Sequence, residues 1–502
     1  MQNSQIKLQS RRPVQQLETE RPDRMEEACG VFAVQALEQP VANLVYFGLY
    51  ALQHRGQESA GIAVFHEGKV RLHKDMGLVS QVFDQDVLAR MPGGLAVGHN
   101  RYSTTGSSKV CNAQPVVLMT RLGPFALAHN GNLVNAAELR EHVSVDGAVE
   151  FTSTTDSELI AYAVQQAVDG GLDWTDGIKA AASLCQGAFS LVIGTPEALY
   201  GLRDGYGIRP LVYGYLGDSV SGNWVLSSET CGLDIIGSSF VSDIEPGELV
   251  VFRSGDPTPE RHRWIEPTTR MCVFEMIYFA RPDSRFFGES LYSYRQRIGE
   301  ILARESAVEA DLVIGVPDSG IPAAIGYSQS SGIPYADGLI KNRYVGRTFI
   351  QPTQAMREAG IRVKLNPLPD VLNGKRVLVI DDSIVRGTTS RKLVQALREA
   401  GAIEVHMRIS SPPVTHPCFY GIDTDTQDQL IAARLSLKEI EQHLQVDSLA
   451  YLSKQGMVEA ANAHSKHFCT ACFDGNYPVP MDAETRASKL MLEPAGVAVT
   501  KL

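Results

Sequence analysis

Two adjacent carboxylates at the end of an apolar run are the first residues whose types and spacing suggest chemistry. Arg376 to Ser390 reads RVLVIDDSIVRGTTS. Val377-Leu378-Val379-Ile380 has the composition of a buried parallel strand, so Asp381 and Asp382 fall at its C-terminal end, where open α/β sheets bind ligands. Arg386-Gly387-Thr388-Thr389-Ser390 then opens a helix, offering backbone N–H groups and hydroxyls suited to a phosphate. The acids suit a ribose diol or Mg²⁺. The plain alternative is a strand-to-helix turn with solvated acids; a lone Asp-Asp pair would favour it, but the whole string does not.

As a string, this stretch resembles the phosphoribosyl diphosphate (PRPP) signature of type I phosphoribosyltransferases. The resemblance implies that Asp381 and Asp382 hold ribose hydroxyls or Mg²⁺, while Ser383, Arg386, Gly387, Thr388 and Thr389 wrap the 5-phosphate. Upstream, the apolar run Leu312 to Val316 ends in Pro317-Asp318-Ser319-Gly320, and the same resemblance makes Ser319 a further Mg²⁺ contact beside pyrophosphate. Lys341 to Pro352 is basic, aromatic and interrupted by glycine. Such a run is often only a solvated face. Displacing pyrophosphate from an activated ribose, however, calls for a lid that brings positive charge and shuts out water, which makes Lys341, Arg343 and Arg347 candidate phosphate contacts.

A second constellation precedes this one. Cys29 opens the strand-like run CGVFAV, and it is followed by LQHRGQESAG from Leu52, GHNRYST from Gly98, HNGN from His129 and TTDSE from Thr154. Short apolar runs such as Phe125 to Ala128 and Ser190 to Ile193 lie between, so the polar clusters are expected on loops of a sheet-rich half. Taken singly, Cys29 is an ordinary small buried residue, Asn130-Gly131 a hairpin turn, Arg101 half of a surface ion pair and Asp156 a helix N-cap.

In order and spacing, these clusters resemble the glutaminase domain of class II glutamine amidotransferases, a family of N-terminal-nucleophile (Ntn) hydrolases. In that family the mature chain begins at the cysteine, which makes residues 1–28 a propeptide. Chemistry supplies a reason: a free α-amino group, with a reference pKa of about 7.7 to 8.0, can accept the thiol proton, whereas an amide to Ala28 cannot. The resemblance further implies that Arg101 pairs with the glutamine α-carboxylate and Asp156 with its α-ammonium. Asn130 and the N–H of Gly131 would form an oxyanion hole, commonly worth about 3 to 4 kcal/mol per donor.

Of eight cysteines, Cys469 and Cys472 form a C-x-x-C, and Cys272 and Cys418 could complete a set of four. Four thiolates suit structural zinc or an iron–sulfur cluster, and spacing cannot choose between them. The remaining Cys111, Cys185 and Cys231 are expected in the core.

The elements that must position these groups follow from composition. The chain has 502 residues, 44% hydrophobic and 21% charged, with a net charge of −11. That is a globular protein of two to four domains, with no nucleic acid or membrane partner expected. The first 28 residues carry no apolar signal segment, and the cysteine usage fits a reduced, cytoplasmic protein. Pro246 to Phe252 reads as a turn and last strand, and Ser254 to Thr269 as a linker. Strand and helix then alternate, as in a parallel sheet. The expected organisation is a propeptide (1–28), a glutamine amidotransferase domain (29–260), a phosphoribosyltransferase domain (272–475) and a tail (476–502). By resemblance the fold is α+β then α/β: an Ntn-hydrolase αββα sandwich followed by a mostly parallel sheet.

Together the two halves resemble the glutamine PRPP amidotransferase family. The implied reaction is glutamine + PRPP + H₂O to 5-phosphoribosylamine, glutamate and pyrophosphate, at the entry to purine biosynthesis. The family's propeptide-bearing branch implies a 4Fe–4S cluster on Cys272, Cys418, Cys469 and Cys472, and the family implies a homotetramer inhibited by purine nucleotides. Alternatives are a glutaminase fused to a PRPP-sensing module, another class II amidotransferase, which Asp381-Asp382 argues against, and a non-catalytic scaffold.

Overall fold

The computed structural model describes residues 29–36, 39–102, 107–144, 149–342, 365–422, 424, 426–462 and 467–481. The expected propeptide, Arg343, Arg347 and most of the expected lid, and the chain beyond Met481 lie outside these residues.

Two antiparallel sheets pack face to face in the first half. One has seven strands in the spatial order Ser239–Asp243, Val212–Tyr215, Trp224–Ser227, Gly30–Gln35, Leu95–Arg101, Ser59–His66, Lys69–Met76. The other has six, ordered Glu260–Arg263, Glu248–Arg253, Ala198–Arg203, Gly187–Gly194, Gly123–Leu133, Val116–Thr120. Strand periodicity explains the layering. Val31 and Ala33 point into the seam between the sheets with Ala126, Ala128 and Val192. Phe32 and Val34 face the other way, against the helix Val41–Ala51. Phe125 and Leu127 likewise turn outward onto the helices Asp156–Asp169 and Trp174–Leu184. The result is an αββα sandwich.

In the second half, four parallel strands lie in the order Leu312–Gly315, Arg376–Asp381, Glu404–Ile409, Ser448–Tyr451. Alternate residues of the apolar run Val377 to Ile380 cover opposite faces: Leu378 and Ile380 meet the helices Leu291–Glu305 and Ile321–Ser331, while Val377 and Val379 meet Thr388–Glu399 and Leu437–Leu444. A sheet covered on both faces requires such an uninterrupted apolar strand.

Several local expectations are corrected. The polar clusters are not confined to loops: His99 to Arg101 end a strand, and His129 to Asn132 lie within one. Asn130-Gly131 is therefore no hairpin turn, because an eight-residue register with Gly187–Gly194 outweighs local turn propensity. Glu248–Arg253 is not the last strand, since Glu260–Arg263 pairs with it inside the expected linker. Thr155, not Asp156, occupies the N-cap position, and Asp156 is the first helical residue. Cys185 and Cys231 are buried, but Cys111 is exposed in the short turn Val110–Asn112.

Candidate active site

Cys29 is buried just before the strand Gly30–Gln35, whose first residue pairs with Asn100. Its Sγ donates to the carbonyl of Tyr102 at 3.4 Å, and its own carbonyl accepts Arg55 Nε at 3.2 Å. Burial pushes the thiol up to about 12, with Arg101 pulling it back only in part. Near neutral pH this sulfur keeps its proton unless a base removes it.

Cys29, Arg101, His129, Gly131 and Asp156 line one small cavity. Arg101 is buried, with Nη1 3.4 Å from Glu58 Oε2 and donating to the carbonyl of Ser107 at 3.3 Å. Asp156 accepts the N–H of Leu133 at 3.0 Å and sits 3.7 Å from His129 Nδ1. Burial alone would raise its carboxyl pKa, but His129 and the surrounding hydrogen bonds hold it below the ordinary range. An anion is thus kept in a dry pocket, suited to an ammonium group. Because this carboxylate faces Leu133 and His129, it does not cap its own helix.

Asn130 is fully buried, and neither atom of its side-chain amide has a hydrogen-bond partner. A buried orphan amide is costly unless a ligand completes it. Gly131 has φ 148°, and a Cβ there would lie 1.9 Å from the carbonyl oxygen of Ala188, so only glycine lets the strand approach this closely. Sequence reasoning missed His129 as a partner of Asp156, although it belongs to the same motif. It also assigned no role to Arg55, Glu229 or Glu275, which form a buried charge cluster behind Cys29; no short-range signal connects them.

A second site lies at the C-terminal edge of the parallel sheet. Asp382 receives Ser319 Oγ at 2.5 Å on one oxygen and Ser383 Oγ at 2.6 Å on the other, and its N–H donates to Asp381 Oδ1 at 3.0 Å. The two loops predicted to share a ligand are therefore joined through one carboxylate. Gly387, at φ 82°, turns the chain into the helix Thr388–Glu399, and the first-turn N–H groups of a helix are the ones suited to a phosphate. Lys341 Nζ lies 2.5 Å from Asp318 Oδ2, the neighbour of Ser319, in an exposed ion pair.

The four selected cysteines also converge. Cys272 and Cys469 are register partners on two short parallel strands. With Cys472 and the partly buried Cys418 they share one apolar cluster, all as free thiols. Buried Arg209 adjoins them: its charge opposes the burial that pushes Cys272 up to about 12, and its Nη2 has no hydrogen-bond partner. Among the described residues, no three His, Cys, Asp or Glu side chains stand in a metal-binding arrangement.

Comparison with known proteins agrees with this two-site layout. Residues 99–234 match the family model of a glutamine amidotransferase domain, and residues 293–410 that of a phosphoribosyl transferase domain. The chain is 68% identical over 475 residues to the amidophosphoribosyltransferase of Synechococcus elongatus, covering 94% of this chain and 96% of that one. It is 45% identical over 466 residues to the Bacillus subtilis protein of the same name, covering 92% and 96%. A solved structure of the allosteric regulatory enzyme of purine biosynthesis superposes with a TM-score of 0.85 at 45% identity, over 91% of this chain and 97% of that one. The glutamine PRPP amidotransferase of B. subtilis, solved with ADP and GMP, gives a TM-score of 0.84 at 44% identity, over 91% and 98%.

Proposed function

The chain belongs to the amidophosphoribosyltransferase family, and from that premise we propose how its residues divide the reaction. The enzyme converts glutamine, PRPP and water to 5-phosphoribosylamine, glutamate and pyrophosphate, the first step of purine biosynthesis. The observation that carries the assignment is that one chain holds both a buried cysteine sharing a cavity with Arg101, Gly131 and Asp156 and a serine-clamped acid pair at the edge of a parallel sheet. Purified protein given glutamine, PRPP and Mg²⁺ is expected to release pyrophosphate in a PRPP-dependent manner; a glutaminase with a PRPP-sensing module would release none.

In the first site, Arg101 binds the α-carboxylate of glutamine and Asp156 its α-ammonium. Cys29 Sγ attacks the carboxamide carbon while the α-amine of the same residue takes the thiol proton and passes it to the departing ammonia. Asn130 and the Gly131 N–H hold the oxyanion, which gives the unpartnered amide its acceptor. Water then cleaves the thioester to glutamate. In the second site, Asp381 and Asp382 hold the ribose hydroxyls, Ser383 to Thr389 wrap the 5-phosphate, and Lys341, Arg343 and Arg347 supply positive charge around the leaving group. Mg²⁺, when bound at Ser319, Asp381 and Asp382, contributes neutralisation of the pyrophosphate charge. Ammonia attacks C1 and pyrophosphate departs.

The amine-as-base assignment requires that residues 1–28 be removed, leaving a mature enzyme of a 29–260 glutaminase domain and a 272–475 transferase domain. Intact-mass analysis of active enzyme is expected to begin at Cys29, and a fully active chain retaining Met1 would refute it. The amine must be neutral to accept a proton, so glutamine-dependent activity should rise as pH increases through about 7.7 to 8.0.

Cys272, Cys418, Cys469 and Cys472 are assigned to a 4Fe–4S cluster. Support comes from four thiols gathered in one apolar cluster beside a buried guanidinium, that of Arg209, whose Nη2 has no hydrogen-bond partner, a setting suited to an anionic centre with thiolate ligands. The cluster would tie three chain segments together, since neither half-reaction needs an electron. Elemental analysis should find iron and acid-labile sulfide in roughly equal amounts; stoichiometric zinc would overturn this. A homotetramer inhibited by purine nucleotides completes the reading; the relative solved with ADP and GMP supports the nucleotide part of it. Among the described residues no helix is long and apolar enough to cross a membrane; the cytoplasmic location belongs to the proposal and rests on the cysteine usage.

A further inference from the structure

Behind Cys29 lies a buried charge cluster that neither half-reaction uses. Arg55 and Arg209 come from the glutaminase half and are 1% and 0% exposed; Glu229 and Glu275 are both 0% exposed. Arg55 divides its guanidinium three ways. Nε donates to the Cys29 carbonyl at 3.2 Å, Nη1 to Glu229 at 2.6 Å and Glu275 at 3.0 Å, and Nη2 to Glu275 at 2.6 Å. Arg209 Nη1 donates to the same Glu275 oxygen at 3.0 Å. Glu275 belongs to the other half, in the π-helical turn Glu275–Phe279.

Buried ions at a join between two sheet systems are costly unless they are paired, and they bind direction as well as charge. A planar guanidinium held by two carboxylates has little freedom to rotate. Its third donor therefore fixes the carbonyl of the nucleophile's own residue. The π-helical turn is anchored in turn from the transferase side: Arg295, 3% exposed, donates to the carbonyls of Met276 at 2.9 Å and Ala280 at 2.7 Å. Burial lowers the Arg295 pKa to about 10, with Asp382 pulling the other way. Glu275, which burial would neutralise, is held as an anion by Arg55 and then Arg209.

We propose that Glu275 is a positioning residue for the glutaminase reaction: a carboxylate of the transferase half that, through Arg55, sets the placement of Cys29. The inference rests on Cys29 being the nucleophile. It implies that the glutaminase half alone does not hold its nucleophile in attacking geometry, and that ammonia is released efficiently only where an acceptor domain is docked.

The test uses the full-length enzyme and two nitrogen donors. Glu275→Gln keeps the shape and removes the charge, leaving Arg55 with Glu229 as its carboxylate and taking from Arg209 the carboxylate it pairs with. Displacing a nucleophile by about 1 Å commonly costs on the order of 100-fold. Glutamine-dependent kcat is expected to fall about 10- to 100-fold, with KM for glutamine within about threefold because Arg101 and Asp156 are untouched. Synthesis from added ammonia is expected to stay within about threefold. Arg55→Lys, which retains the charge but cannot span Cys29 and Glu275 together, should give the same split and serves if Glu275→Gln fails to fold. Equal loss with both donors, or unchanged glutamine kcat in both variants, overturns the proposal. Cys29→Ala is run in parallel: glutamine use surviving in that variant would instead overturn the assignment of the nucleophile.

Discussion

Cys29→Ala is expected to reduce glutamine-dependent synthesis by at least about 1,000-fold while leaving synthesis from added ammonia within about threefold. The asymmetry follows from where the residue sits. Cys29 lies just before a sandwich strand and lines the cavity proposed for glutamine, whereas the acids proposed for the ribose lie at the end of a strand of a different sheet. Removing a sulfur takes away the proposed thioester route but leaves Arg101 and Asp156, the residues proposed to bind glutamine, so the substrate should still occupy the site. Packing should survive too: alanine is close in size, and the thiol makes a single long hydrogen bond to the Tyr102 carbonyl. Isotope-labelled glutamine and ammonium, supplied in separate assays with PRPP, measure both rates. Parallel loss of both would contradict separate sites.

The converse variant, Asp382→Asn, should lower synthesis from either nitrogen donor by about 100- to 1,000-fold and leave glutamine hydrolysis without PRPP unchanged. Asp382 is buried and its two oxygens accept Ser319 and Ser383. Asparagine keeps the outline but replaces one acceptor with a donor and deletes the charge. The pyrophosphate-side loop and the phosphate loop are then no longer clamped by one anion, and a bound Mg²⁺ loses a partner. Pyrophosphate release with ammonia as donor, followed against Mg²⁺ concentration, is the discriminating assay. A change smaller than about threefold would show that Asp382 contributes only structure.

Much of this was legible from the residues. Val377-Leu378-Val379-Ile380 had to be a strand covered on both faces, because four successive apolar residues leave no face for water, and that alone placed Asp381 and Asp382 at the sheet's edge. The motifs from Cys29 to Asp156 pointed to glutamine chemistry through the family that their order and spacing resemble. What failed was local inference from residue type. Asn130-Gly131 resembles a turn, yet pairing with Gly187–Gly194 holds it in a strand and strips its amide of partners. Asp156 resembles a cap, yet it faces Leu133 and His129. Cys111 resembles a core thiol, yet it lies in a surface turn.

By itself, then, the amino-acid sequence determined which two chemistries this chain performs and which residues terminate the strands that present them, because periodicity and loop composition act over a few residues. Only the tertiary structure decided which buried charges meet. Arg55 finds Glu229 and Glu275 at separations of 174 and 220 residues. No spacing rule encodes that encounter: the cost of burying each ion is offset only once all are packed together. That packing ties Cys29 of one half, through Arg55, to a carboxylate of the other.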